Sequence, residues 1–120
     1  MRGEITPKRL QGQHPSVKRS KVQEAATAKR VGGRITLASG AGAFEKADVR
    51  VKGVARLELK TTKRKSFSVT AEIIDKVEAQ ALQAGEVPVI EIEIDNEGTP
   101  RSVCVIPTWA LDALLQRGAP

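Results

Sequence analysis

The sequence predicts a single α/β domain, a mixed central β-sheet flanked by helices in the order α-β-β-β-α-β-β-α. Three observations carry that prediction. A chain of 120 residues suits one domain with one core. At 40% hydrophobic it has enough apolar side chain to fill that core. The apolar pattern also switches between a helical period and the two-residue alternation of strands, with glycine and proline at the joints.

Residues 1–18, "MRGEITPKRLQGQHPSVK", are polar, basic and broken by prolines. They read as a flexible N-terminal arm, leaving 19–120 as the folded domain. His14 lies in this arm without a partner at metal-ligand spacing and reads as a solvated residue. From Ser20, "SKVQEAATAKR" is helical: Ser20 and Gln23 form a capping box, the interior is rich in alanine, and Gly32-Gly33 ends it. "RITL" is a short strand and "ASGAGA" a loop of small residues. "ADVRV" and "VARLELK" follow as strands around Gly53, then a basic loop, "TTKRKS", and a short extended piece, "FSV".

Thr70 caps the next helix, "AEIIDKVEAQALQA", whose Ile73, Ile74, Val77 and Ala81 share one face and whose stop is Gly85. In the strand "VPVIEIEI", Val89 lies on the side away from Ile90, Ile92 and Ile94. Glu91 and Glu93 alternate with the isoleucines and read as a solvated strand face. "DNEG" is a turn, "RSVCVI" pairs back, and Thr108 opens a last helix. Trp109, Leu111, Leu114 and Leu115 give that helix an apolar face, either core or subunit interface.

Several classes are set aside by composition. No apolar run approaches the ~18 residues of a membrane span. No apolar stretch follows the basic N-terminal residues, so no secretory signal is expected. The single cysteine, Cys104, allows no internal disulfide. It alternates with Val103 and Val105 without a nearby histidine, which reads as structural rather than nucleophilic. A reducing, cytoplasmic location is expected.

Charge is uneven. Residues 1–65 hold 17 Lys/Arg against 5 Asp/Glu, and residues 66–120 hold 3 against 9, which together give the net +6 of the chain. A basic half of this kind is the footprint of a polyanion partner. Two Phe, one Trp and no Tyr leave few platforms for stacking bases, so contacts to a duplex backbone are favoured over single-strand stacking.

The stretch "DVRVKGVARLELK" carries the chemistry. Side chains alternate along a strand, so Arg56, Glu58 and Lys60 share one face, while Ala55, Leu57 and Leu59 share the other. Asp48 joins the face of Glu58 if the connection has odd length. A three-residue loop, "VKG" ending in Gly53, supplies this as a type I turn plus bulge. Two convergent carboxylates suit a hard cation such as Mg²⁺ or Mn²⁺. On spacing alone, a surface salt-bridge ladder is the commoner use of such residues, and both readings stand.

Asp48, then nine residues, then "ELK" matches the PD-(D/E)XK nuclease signature. The wider stretch "VGGRITLASGAGAFEKADVRVKGVARLELKTT" resembles the archaeal-type Holliday junction resolvases, including relatives encoded by phages. A glycine-terminated helix, an arginine-containing strand and a Ser-Gly loop lead into the acids. The segment "SFSVTAEIIDKVEAQALQAGEVPVIEIEID" continues the likeness, which covers about residues 20–95.

The resemblance implies a metal-dependent, structure-selective endonuclease that resolves four-way DNA junctions as a homodimer, with Mg²⁺ as cofactor and Mn²⁺ as its substitute. Asp48, Glu58 and Lys60 carry over directly. Glu24, the acid on the first helix, would complete the metal site, and Leu59 would lend its backbone carbonyl. Ser39 would sit near the scissile phosphate. Arg30, Arg34, Lys46, Lys63, Arg64 and Lys65 would grip DNA. Ala47 departs from the family's usual Pro or Gly before the aspartate, which touches backbone geometry rather than ligand chemistry. The alternatives are a PD-(D/E)XK nuclease of restriction or repair type, or a non-catalytic basic DNA-binding protein.

Overall fold

A computed structural model describes residues 15–37 and 47–117. Their elements are α1 (Pro15–Val31), β1 (Arg34–Leu37), β2 (Ala47–Val51), β3 (Ala55–Thr62), α2 (Ala71–Gln83), β4 (Val87–Asn96), β5 (Thr99–Val105) and α3 (Thr108–Arg117). The order matches the one read from the sequence. The strands form one sheet, β1-β2-β3-β4-β5. β3 and β4 are parallel, joined by a crossover through α2, and the other neighbours are antiparallel. This is an α/β domain with a mixed sheet.

α1 starts earlier than expected, with a proline at its first position, where the missing N–H costs nothing. Ser20 is therefore interior to the helix and not its cap. Residues 15–18 of the expected arm are helical, and residues 1–14 lie outside the described residues. Gln23 is not a capping partner either. Its Nε2 donates to the carbonyl of Lys60 at 2.9 Å and to that of Glu91 at 3.4 Å. Gly33 ends the helix against β2. A Cβ there would stand 2.8 Å from the Arg50 carbonyl oxygen, so only glycine permits this approach.

Helices cover both sheet faces. On one, Val77 of α2 packs with Ile90 and Ile92, joined by Phe67, Val69, Ile73, Ile74, Ile94 and Val105. Burying each large aliphatic side chain is worth roughly 1.5–3 kcal/mol relative to exposure. Phe67 and Val69 contribute as packing residues, and "FSV" forms no strand. Thr70 is the N-cap of α2, its side chain accepting from the Ile73 N–H.

On the other face α1 lies over Val49, Leu57 and Glu91. The expectation of a solvated Glu91 is overturned: the residue is 4% exposed. Thr27 Oγ1 donates to its Oε2 at 2.8 Å, and Arg30 forms an ion pair with its Oε1. The exposed Cys104 places Sγ 3.7 Å from the same carboxylate. Strand alternation points Glu91 toward a helix that strand patterning by itself does not locate.

α3 seats Ala110 against the domain and ties Trp109 Nε1 to Glu78 of α2 at 3.1 Å. Its apolar side chains are otherwise open: Leu111, Leu114 and Leu115 lie on one side of the helix and Trp109 on the side toward Glu78, and all four are exposed. No helix among the described residues is long and apolar enough to cross a membrane.

Candidate active site

The β2–β3 connection decides where Asp48 points. Its three residues are Lys52, Gly53 and Val54, one position later than expected, and the Val54 N–H donates to the Val51 carbonyl at 2.9 Å. Gly53 occupies the left-handed region at φ +75°, which a glycine adopts without penalty. The buried Glu86, just before β4, holds this turn from below. Its Oε2 accepts from Gly53 N–H at 2.9 Å and from Arg50 Nε at 2.5 Å. Burial favours protonation of Glu86, but the Gly53 N–H and the Arg50 guanidinium outweigh it and hold the carboxyl below its usual range.

The odd loop sets the register Val51↔Ala55, Arg50↔Arg56, Val49↔Leu57, Asp48↔Glu58. Asp48 and Glu58 are thus direct cross-strand partners on one face, each 6% exposed. Arg56 Nε lies 3.3 Å from Asp48 Oδ2, and Lys60 Nζ lies 3.1 Å from Glu58 Oε2. The Glu58 face continues across β4 as Ile90 and Ile92, the floor under α2.

The two acids titrate apart. Burial, then the charge of Glu58, pushes the Asp48 carboxyl from 3.8 to about 6, against the pull of Arg56. Burial also acts to raise Glu58, but the Lys60 ammonium, a hydrogen bond from Asp48 and the charge of Lys76 bring it below its ordinary value. Without a cation, and below about pH 6, the proton of the pair resides on Asp48 and is donated to an ionised Glu58.

The other expected site residues are dispersed. Ser39 and Lys46 lie outside the described residues. Glu24 sits on α1, beside the Gln23 that bonds to the Lys60 carbonyl. Among the described residues no group of three or more His, Cys, Asp or Glu is arranged to hold a metal ion, so Glu24 does not form a three-acid cluster with the pair. Leu59 stands just beyond the last pair of the β2–β3 ladder, Asp48↔Glu58. Arg30 is engaged with Glu91 on the opposite sheet face. Arg34 shares the Asp48 face, as the partner of Arg50. Lys63, Arg64 and Lys65 are exposed where β3 ends.

Sequence reasoning missed Arg50, Lys52 and Glu86. Arg50 had a signal, since it stands two positions from Asp48 and so shares its face. Glu86 had none, because its role depends on α2 delivering β4 beside the Gly53 turn.

The chain matches no family model, no curated protein and no solved structure.

Proposed function

We propose that this chain is a metal-dependent DNA endonuclease of the PD-(D/E)XK type, acting on four-way junctions as the resemblance to archaeal-type resolvases implies. One observation carries the reading: Asp48 and Glu58 are buried directly opposite each other with Lys60 against Glu58. A surface salt-bridge ladder leaves its charges in water, where each pair contributes little. Here two carboxylates are kept from water and from separating, and one of them titrates at about 6 as a result, well above an ordinary carboxyl. That is the arrangement a functional site produces more often than a solvated strand does.

The donor set fits Mg²⁺. This ion is commonly bound by one or two carboxylates together with water and substrate phosphate, rather than by an all-protein cage. Asp48, Glu58 and the Leu59 carbonyl would hold it, so a third acid from α1 is not required. Such an ion, held there, would supply Lewis-acid polarisation of the scissile phosphate and activation of a water.

The chain's own residues supply the rest. Lys60 keeps Glu58 ionised and presents an ammonium where negative charge grows on the phosphate. Arg56 orients Asp48 through their ion pair. Lys63, Arg64 and Lys65 hold the backbone beyond the end of β3. Two symmetric nicks need two such sites, and the open apolar face of α3 is the surface on which a second copy would pack.

A cleavage panel of junction, flap, duplex and single strand, with and without Mg²⁺, tests the reading. Nicking of the junction in preference to the other three, dependent on the metal, is expected. Cleavage of plain duplex or flap with equal efficiency would assign a restriction or repair type. Metal-independent binding with no nicking of any substrate would leave a DNA-binding protein.

A further inference from the structure

The register that opposes the two acids also builds a second row beside them. Arg34 pairs with Arg50, and Arg50 pairs with Arg56, so three arginines lie side by side across β1, β2 and β3. The next row on the same face is Thr36, Asp48 and Glu58. The rows are two residues apart along the strands, roughly 7 Å.

Like charges directly opposite one another on a sheet are destabilising. Two of the arginines are relieved from within the chain: Arg56 by Asp48 and Arg50 by the buried Glu86. Among the described residues no carboxylate forms an ion pair with Arg34 or with the neighbouring Lys52. These two cations, with Thr36, Arg50, Gly32 and Gly33, line an open cleft of about 490 Å³. No acidic side chain among the described residues lines it, and both Arg34 and Lys52 are exposed at its mouth. Gly32 leaves open space where a side chain would otherwise project, and Gly33 lets the chain run close against Arg50.

We propose that this cleft binds a backbone phosphate of the DNA, the one adjoining the scissile phosphate on the strand that is cut. Arg34 supplies a planar fork of donors matched to phosphate oxygens, and Lys52 adds a point charge. The spacing between the two rows suits neighbouring phosphates of one strand. With the basic Lys63, Arg64 and Lys65 at the far end of β3, the acids then lie between two phosphate grips. From Arg56 to Lys63, just past the end of β3, an extended chain spans about 23 Å. The position of this phosphate rests on the nuclease reading of Asp48 and Glu58, whereas its binding does not.

The test is a double substitution, Arg34→Ala with Lys52→Ala. Arg50 is left intact because its pairing with Glu86 holds the Gly53 turn. Junction binding is measured across a salt series in the Glu58→Gln background. The expected result is weaker binding and a log K against log salt slope flatter by about one to two, since each lost phosphate contact accounts for about 0.9. A set of junctions carrying one uncharged methylphosphonate each, at successive positions around the nick mapped with the wild-type protein and Mg²⁺, then locates the contact. Neutralising the position beside the nick should weaken Glu58→Gln protein and have no further effect on the double substitution in that background. An unchanged slope, or equal sensitivity of both proteins at every position, overturns the cleft as a phosphate site. A flatter slope from a protein that never nicks with Mg²⁺ or Mn²⁺ upholds the phosphate site and overturns the nuclease reading.

Discussion

Asp48 and Glu58 face each other across β2 and β3 in direct register, and each carboxylate has its own cation, Arg56 for the first and Lys60 for the second. The arrangement separates attraction from repulsion. Each acid is drawn to a base on its own sheet face, yet the two acids cannot move apart without breaking the ladder. On the proposed nuclease reading, a divalent cation would relieve what the two bases leave uncompensated.

Asp48→Asn or Glu58→Gln should therefore abolish nicking while leaving junction affinity unchanged or higher. Removing negative charge from a DNA-facing site does not weaken its electrostatic hold on phosphate. Single-turnover cleavage alongside metal-free binding checks this, and wild-type nicking by Glu58→Gln would end the nuclease reading. Glu24→Ala is expected to retain most activity, since the described residues form no three-acid group with Glu24.

The pH dependence has a definite sign. Asp48 titrates at about 6 in the folded chain against an ordinary 3.8, so the fold binds this proton more tightly than the unfolded chain does. The stabilisation from protonated Asp48 is complete below about pH 4 and is lost as pH rises through about 6, an effect of up to about 3 kcal/mol. Glu58 is shifted downward, so its contribution is lost only as pH falls below the ordinary carboxylate range. The contribution of Asp48 to metal-free stability, read as wild type minus Asp48→Asn, should therefore fall as pH rises from 4 through about 6, while the lowered Glu58 and Glu86 act in the opposite sense. Mg²⁺ competes with the proton, so its stabilising effect and the nicking rate should both rise through about pH 6. Chemical denaturation across this window, with and without Mg²⁺, measures the stability effects. A stability difference between wild type and Asp48→Asn that is independent of pH between 4 and 6 would remove the coupled pair.

Lys60→Ala should slow the chemical step by roughly 10²-fold or more, as loss of a donor to developing charge does. Its ammonium also holds Glu58 below its ordinary pKa, so the substitution should move the acidic limb of the pH–rate profile upward. A change confined to binding affinity would place Lys60 among the phosphate-gripping residues.

Much of this was legible in the chain itself, for reasons that differ between residues. The face shared by Glu58 and Lys60 follows from strand alternation alone. The meeting of Asp48 with Glu58 needed one further inference, an odd-length loop, and Gly53 supplied its signal even though the loop begins one residue later than read. Glu91 was misread because alternation tells which face a residue takes but not what covers that face. Its cover is α1, distant in sequence, whose Gln23, Thr27 and Arg30 recur at helical spacing toward the sheet. The arginine row escaped for the same reason: Arg34, Arg50 and Arg56 become neighbours only when two strand registers are known together.

On the proposed dimeric reading, the exposed apolar side chains of α3 would carry the subunit contact. Leu114 is 52% exposed and Leu115 is 63% exposed, beside Trp109 and Leu111 on the same short helix. Leu114→Glu with Leu115→Glu puts charge on this face without touching the buried Ala110. Sedimentation should shift from dimer to monomer, and paired nicking of a junction should become single nicking. A stable dimer in the double substitution would place the subunit interface elsewhere.

The last prediction concerns the loop after β3. Thr62 Oγ1 accepts from the Arg64 N–H at 3.0 Å, and the Asn96 side chain donates to the Lys63 carbonyl at 3.2 Å. The backbone of this loop is thus tied to the sheet, while the side chains of Lys63, Arg64 and Lys65 remain in solvent. Cations held this way meet a phosphate backbone with little ordering cost in the main chain. Replacing all three with alanine should weaken junction binding and flatten the salt slope by roughly one to three. Sequence preference should not change, because phosphate contacts position the protein without reading bases. Cleavage at saturating protein should persist, since none of the three reaches the Asp48–Glu58 pair through any ion pair. Titration of a junction and a matched duplex at several salt concentrations measures the slope. Unchanged slope with unchanged affinity would remove this loop from the proposed DNA-binding surface and leave the Arg34 and Lys52 cleft as the principal grip.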